Sequence, residues 1–328
     1  MLDEDIDVVI PWVDNTDPIW RDKAKQYIDL TDLDGERFRD YGTIKYAIRS
    51  VEYNMPWVHQ IFLVTAGQKP SWFVESPKIK IINHDEFIPH EFLPTFSSIV
   101  ITMFMHLIPE ISEKFIVLND DMFVVNSTKV SDYFRDGLPN DFYIERPTYP
   151  LFLNDYYVFN SLYAINQAFS KRDNLTKNLT KKFNFKYGLI NNTISLFLSV
   201  FRPYLGFYSA HSAQPYLKTS FEECWRLFYD ELHQAASHPT RNRLDVTDWL
   251  IRYYQLASSK FQASNPRKHK YFELGLMDDN SFKDALYNKK YLDICINDAS
   301  IKDDSLDLPD KMIDALSKKF NQPSTCEL

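Results

Sequence analysis

Asp7-Val8-Val9-Ile10-Pro11-Trp12-Val13 is an apolar run that ends in a polar turn, Asp14-Asn15-Thr16-Asp17-Pro18. A short β-branched run bounded by turn formers reads as a buried strand followed by a loop. The pattern recurs downstream. Gln60-Ile61-Phe62-Leu63-Val64-Thr65 closes on Ala66-Gly67-Gln68, and Lys78-Ile79-Lys80-Ile81-Ile82 closes on Asn83-His84-Asp85. A fourth run, Phe115-Ile116-Val117-Leu118, closes on Asn119-Asp120-Asp121. Helical patterns lie between these runs. Ile44, Ala47, Ile48 and Val51 share one face of residues 43–54, which Pro56 stops, and residues 95–107 read as a second helix. Strands and helices that alternate, with strands apolar on both faces, predict an α/β fold built on a mostly parallel sheet. Ligands of such sheets sit beyond the carboxyl ends of the strands, where the polar clusters of this sequence fall.

Beyond residue 146 the pattern changes. Residues 147–208 are aromatic and rich in Asn and Lys and read as a helical insertion; residues 221–234, 245–257 and 310–320 read as further helices. Only seven of 328 residues are glycine, and none are spaced as G-x-G-x-x-G or G-x-x-x-x-G-K-[ST]. That spacing excludes the dinucleotide fingerprint and the P-loop, so bound phosphate must be met by side chains, a metal or a helix N-terminus. The net charge of −8 argues against nucleic-acid binding, which needs a basic face. Aromatic residues make up 16% of the chain, consistent with an aromatic core or with platforms for carbohydrate. Cys224, Cys295 and Cys326 are far apart and form no C-x-x-C, which fits a reducing compartment. The start is acidic and lacks a signal-peptide pattern, and no apolar run approaches the ~18 residues of a membrane span. A cytoplasmic chain with at most peripheral membrane contact is expected.

Asn119-Asp120-Asp121 carries the strongest local signal. Adjacent carboxylates at a strand end repel unless a cation or donor offsets them, yet the same triplet also makes an ordinary solvated turn. In an extended strand Asp120 and Asp121 point to opposite faces, so both reach one ion only if the chain turns there. Asp17 before Pro18 reads as a helix cap, which leaves Asp14 to face a ligand. Arg37 and Arg39 precede the first amphipathic helix, and Arg49 on that helix is placed to pair with Glu52. His211 lies in a non-helical stretch, either as a satisfied structural group or as a base. Arg241 and Arg243 precede another helix and suit a pyrophosphate. Cys295, before Asn297-Asp298, reads as a buried thiol.

Four blocks in this order resemble the Stealth family of sugar-1-phosphate transferases, which includes bacterial capsule and cell-wall polysaccharide phosphotransferases. They are Asp7 to Asp14 with Asp17-Pro18; Arg37-Phe38-Arg39-Asp40 through Leu93-Pro94-Thr95-Phe96-Ser97-Ser98 to Asn119-Asp120-Asp121-Met122-Phe123; His211 with Pro215, Arg241 and Arg243; and Cys295-Ile296-Asn297-Asp298. The resemblance implies a GT-A-like, Rossmann-type core with a helical insertion and C-terminal helices. It divides the chain into a nucleotide-sugar-binding core (1–146), an insertion or lid (147–208) and a C-terminal part that completes the site (209–328). It implies a nucleotide-sugar donor, a UDP-hexose or UDP-N-acetylhexosamine, and a glycan hydroxyl acceptor, with UMP released and a phosphodiester formed. The competing readings are a glycosyltransferase releasing UDP and a non-catalytic glycan-binding module. The resemblance maps Asp120 and Asp121 onto an acidic pair serving a divalent metal, Mg²⁺ or Mn²⁺. It maps His211 onto the catalytic histidine and Arg241 or Arg243 onto a phosphate-binding arginine. Trp12, Val13, Asp14, Arg37 and Asn119 complete the expected substrate site. The expected location is the cytoplasm, at the inner face of a bacterial membrane.

Overall fold

The computed structural model describes residues 5–29, 33, 38–299 and 307–327. In chain order the strands are β1 (Ile6–Pro11), β2 (Ile61–Thr65), β3 (Ile79–Asn83), β4 (Lys114–Val117), β5 (Met122–Val124), β6 (Phe134–Arg135), β7 (Leu138–Asp141), β8 (Gln214–Leu217), β9 (Gln262–Ala263), β10 (His269–Glu273) and β11 (Asp293–Asn297). The principal helices of the first half are α1 (Pro18–Ala24), α2 (Ile44–Asn54), α3 (Ser98–Phe104), α4 (Leu153–Ala168) and α5 (Lys171–Thr176). Those that follow are α6 (Leu189–Leu198), α7 (Lys218–Leu227), α8 (Tyr229–Ala236), α9 (Trp249–Ala257), α10 (Asp279–Tyr287) and α11 (Leu308–Lys319).

The central sheet has the order β3-β2-β1-β4-β8, parallel except for β8. This is the α/β core on a mostly parallel sheet expected from the apolar runs, and it agrees with the Rossmann-type core that the resemblance implies. Both faces are covered, and alternation along each strand feeds two cores. Val9, Phe62, Val64, Phe115 and Val117 pack with α3 and α9, whereas Val8, Ile10, Ile61, Leu63 and Ile116 pack with α2 and α11. Asp7, buried at the start of β1, accepts the amide protons of Gln60 (3.1 Å) and Ser112 (2.7 Å) and so ties three strands at one end. Two smaller sheets, β10-β11-β5 and β6-β7-β9, extend the core.

Several elements differ from the sequence reading. The single helix expected over 221–234 is two, α7 and α8, because Phe228 leaves helical geometry (φ −122°, ψ 40°) and buries its ring in the core. The helix expected from residue 245 starts at Trp249, because the Asp245 carboxylate holds a loop, accepting from the Asn242 amide (2.7 Å) and facing His238 Nδ1 (2.6 Å). Arg49 does not pair with Glu52. Its guanidinium grips both oxygens of Glu327 and the Phe320 carbonyl, while Glu52 accepts from Thr325, so α2 pins the C-terminal segment from two points. Among the described residues no helix is long and apolar enough to cross a membrane.

His106 is a buried histidine whose ring stacks on Phe221 (5.3 Å between centroids). Burial holds its pKa down to about 4, below the ordinary value of 6.5. The unfolded chain therefore takes up a proton below about pH 6.5 that the folded chain refuses, and stability falls as pH falls through that window. Lowering the pH from 8 to 5 should cost about 2 kcal/mol at this position. Urea melts of the wild type and His106→Leu across that range check it. The variant should lose that part of the slope, and an unchanged slope would remove His106 as its source.

Candidate active site

The site is assembled at the carboxyl end of β4. Leu118 still pairs with β1, donating to the Val9 carbonyl (3.0 Å), and the chain then turns over Asn119-Asp120-Asp121, with the Met122 amide donating to the Asn119 carbonyl (3.0 Å). Reversal here is what the paired aspartates require to serve one locus. Strand β5 leaves the turn and pairs antiparallel with β11, setting Cys295 opposite Met122. The Ile296 amide donates to the Asp121 carbonyl (2.9 Å), and the Cys295 thiol donates to Asp121 Oδ2 (3.2 Å). Asp121 Oδ1 is buried with no hydrogen-bond partner.

His211 arrives from the loop before β8, in a left-handed backbone conformation (φ 49°). One ligand atom each from Asp121, His211 and Cys295 lie within 4.8 Å of one another. The imidazole meets the edge of the Tyr271 ring on β10 (5.5 Å, 76°), and the Tyr271 hydroxyl accepts from Asn297 (2.9 Å). Around this cluster the field is negative. Burial, then Asp121 and Asp40, push the Asp120 carboxyl up to about 8. Burial raises Asp121 as well, opposed by His211 and by the Cys295 thiol. Asp40 is raised by burial and by Asp14, although it accepts from the Trp12 indole (3.0 Å) and the Gly42 amide (2.7 Å). Burial also raises Asp248, which feels the charge of His211.

Carboxylates that resist ionising together, one with an oxygen left bare, fit a hard divalent cation. Asp121 and Asp120 supply oxygens suited to Mg²⁺ or Mn²⁺. Cys295 fits a different task. Burial pushes its thiol well above the ordinary range, so it keeps its proton and serves Asp121 as a donor.

The remaining expected residues fall in distinct places. Trp12 is buried in the core and offers its indole N–H to Asp40, so it positions that carboxylate and presents no open stacking face. Half-buried Val13 packs against the Trp20 cluster. The Asp14 carboxylate accepts from the Thr16 amide (2.8 Å) and hydroxyl (2.6 Å), and Asp17 caps α1 through the Ile19 amide (2.9 Å). Arg241 donates to the Ser98 hydroxyl at the start of α3 (2.9 Å) and sits in the field of Asp248 and Asp245. Arg243 lies 4.0 Å over the ring of Tyr156 on α4. Arg37 lies outside the described residues. Sequence reasoning passed over Asp40, Tyr271 and Asp248 and read Cys295 as a buried thiol alone. For Asp40 the signal was its place in the Arg37-Phe38-Arg39-Asp40 block.

Known proteins carry the same pattern. Stealth protein conserved region 2 matches residues 37–141, the segment from that block through the paired aspartates to the end of β7. The capsular polysaccharide phosphotransferase WcwK of Streptococcus pneumoniae is 37% identical, over 99% of this chain and 98% of its own. The exopolysaccharide phosphotransferase cps2G of Lactiplantibacillus plantarum is 35% identical over 90% of this chain and 88% of its own. Among solved structures, the galactosyltransferase LgtC in complex with donor and acceptor sugar analogs superimposes over 95% of both chains with a TM-score of 0.40 and 11% identity. The chain belongs to the Stealth family, and in class it is a phosphotransferase.

Proposed function

We propose that this chain transfers a sugar-1-phosphate from a UDP-sugar to a hydroxyl of a glycan acceptor, in capsule or cell-wall polysaccharide synthesis. The observation that carries the reading is the bare, buried Asp121 Oδ1 beside His211, at the carboxyl end of a parallel sheet. Full-length likeness to polysaccharide phosphotransferases supports the class of acceptor. The acceptor oxygen attacks the phosphorus next to the sugar and forms a new P–O bond. The pyrophosphate bond breaks, and UMP leaves with its electron pair. His211 takes the proton of the acceptor hydroxyl, held by the Tyr271 edge on one side and the field of Asp121 and Asp248 on the other. Asp120 and Asp121 would hold the divalent cation, whose chemistry would be to neutralise pyrophosphate charge. Arg241, which donates to Ser98, and Arg243, which lies over Tyr156, would meet the donor phosphates. Asp40, set by Trp12, adds a third carboxylate to the negative field beside the acidic pair.

Product analysis tests the reaction. With a panel of UDP-sugars and a glycan acceptor, UMP should appear with a phosphodiester signal in the ³¹P spectrum; UDP with a glycosidic product would overturn the proposal. His211→Ala should lower kcat about a hundredfold or more with KM for the donor nearly unchanged. A kcat near that of the wild type would reject His211 as the base.

A further inference from the structure

Helix α6 is amphipathic in the reverse sense. Its inward side is largely polar: Asn191 donates to the Tyr187 carbonyl and accepts from Arg146, Asn192 donates to the Asn184 carbonyl, and the Ser195 hydroxyl accepts from the Glu145 amide. Its outward side is Leu189, Ile190, Leu196 and Phe197, continued by Val200 just beyond its end, each at least 60% exposed. The four helical positions recur at i, i+1, i+7 and i+8, one stripe of a helix. A second apolar group, Tyr149, Leu151 and Phe152, is exposed just after Arg146, whose guanidinium bonds Asn191 on α6. Large apolar side chains exposed together in this way mark a contact face.

The charge around the stripe points to what it contacts. Residues 147–208 hold seven Lys and Arg against two Asp, in a chain of net charge −8. Four of the lysines are engaged internally, Lys171 by buried Glu145 (2.6 Å), Lys181 by the Ser259 carbonyl (3.3 Å), Lys182 by the Asn174 carbonyl and Lys186 by the Ala263 carbonyl (3.0 Å). Arg172, Lys177 and Arg202 remain exposed, Arg202 immediately beyond Val200 and Phe201. An apolar helix face flanked by cations is the chemistry of a helix lying in an anionic bilayer interface. It disfavours a second copy, because a two-fold contact through the same patch would bring its cations together.

We propose that the outward face of α6, with residues 149–152 and the flanking cations, docks the protein on anionic phospholipid. The docking is independent of the reaction assigned above, and its test needs no turnover. Flotation with vesicles of phosphatidylcholine alone and of a phosphatidylcholine–phosphatidylglycerol mixture reads the partition. The wild type should float with the anionic vesicles and much less with the neutral ones. Leu196→Glu with Phe197→Glu should lower that partition at least about tenfold. The uncharged pair Leu196→Gln with Phe197→Gln should act in the same direction. Arg172→Glu with Lys177→Glu and Arg202→Glu should erase the preference for anionic lipid. Circular dichroism and melting points identify any variant that fails to fold, and the Gln pair then decides. No flotation of the wild type, or equal flotation of folded wild type and Gln pair, would overturn the proposal. So would a wild-type oligomer that these substitutions dissociate, with no lipid binding.

Discussion

Asp121→Asn is expected to lower kcat by more than about 10³-fold while the melting temperature holds or rises. The change is nearly isosteric, so the Ile296 amide bond to the Asp121 carbonyl and the register of β5 on β11 persist. What disappears is the charge on a buried oxygen that no protein group satisfies. An unpaired buried carboxylate costs stability, and removing it recovers some; the same carboxylate is what a cation and a pyrophosphate need. Asp120→Asn should behave in parallel. The Asp120 carboxyl stands near 8 in the fold against 3.8 ordinarily, so the metal-free folded chain refuses to lose a proton that the unfolded chain releases. The sign follows: this group's contribution is fully present below about pH 4 and is lost as pH rises towards 8. Thermal melts in chelator across that range should show the wild type losing stability relative to Asp120→Asn as pH rises. Adding Mg²⁺ or Mn²⁺ at neutral pH should raise the wild-type melting temperature and leave Asp121→Asn nearly unmoved. A folded Asp121→Asn enzyme with wild-type turnover would remove the acidic pair from the mechanism.

The physical reasons for what sequence reveals are visible in particular elements. Strands β1 to β4 stand out because parallel strands buried on both faces must be apolar at nearly every position, as in Val8, Val9 and Ile10. The acidic turn is legible because two adjacent carboxylates at a strand end are costly anywhere else. The partners of that turn are hidden for the opposite reason. Cys295 bonds Asp121 across 174 positions of chain, and nothing local in Ile294-Cys295-Ile296 distinguishes a thiol that supports a carboxylate from one that fills space. Tyr271 meets His211 only because β10 pairs with β11, and β11 with β5. Short-range rules fail similarly at Arg49. The i, i+3 spacing favours Glu52, yet a two-oxygen grip on Glu327 satisfies the planar guanidinium better than one flexible neighbour on the same helix. Trp12 next to Asp14 reads as a surface for a base, but strand β1 is central, and its flanking residue is drawn into the core.

Arg252→Met is expected to destabilise the fold by about 3–5 kcal/mol, read as a lower urea midpoint, and to lose turnover with it. Arg252 on α9 is buried and meets both oxygens of Asp141 at the end of β7 (2.9 and 2.8 Å). The same guanidinium donates to the Tyr208 carbonyl (3.0 Å), and Gln214 at the start of β8 donates to Asp141 (3.3 Å). One pair therefore joins the end of β7, the edge strand β8 and the loop that carries His211 three residues beyond Tyr208. Loss of the guanidinium leaves the Asp141 carboxylate buried and uncompensated, and that residual charge makes the single substitution severe. Replacing both partners, Arg252→Met with Asp141→Leu, removes the charge along with its counterion and should restore most of the stability. It cannot restore the bond to the Tyr208 carbonyl. The double variant should therefore melt near the wild type and still turn over more slowly, with kcat lowered and the donor KM little changed, because the loop holding His211 has lost its anchor. Full recovery of both stability and kcat in the double variant would show that the pair serves the fold alone. Recovery of stability without kcat separates the two tasks, holding β7 against α9 and aiming His211 at the acidic turn.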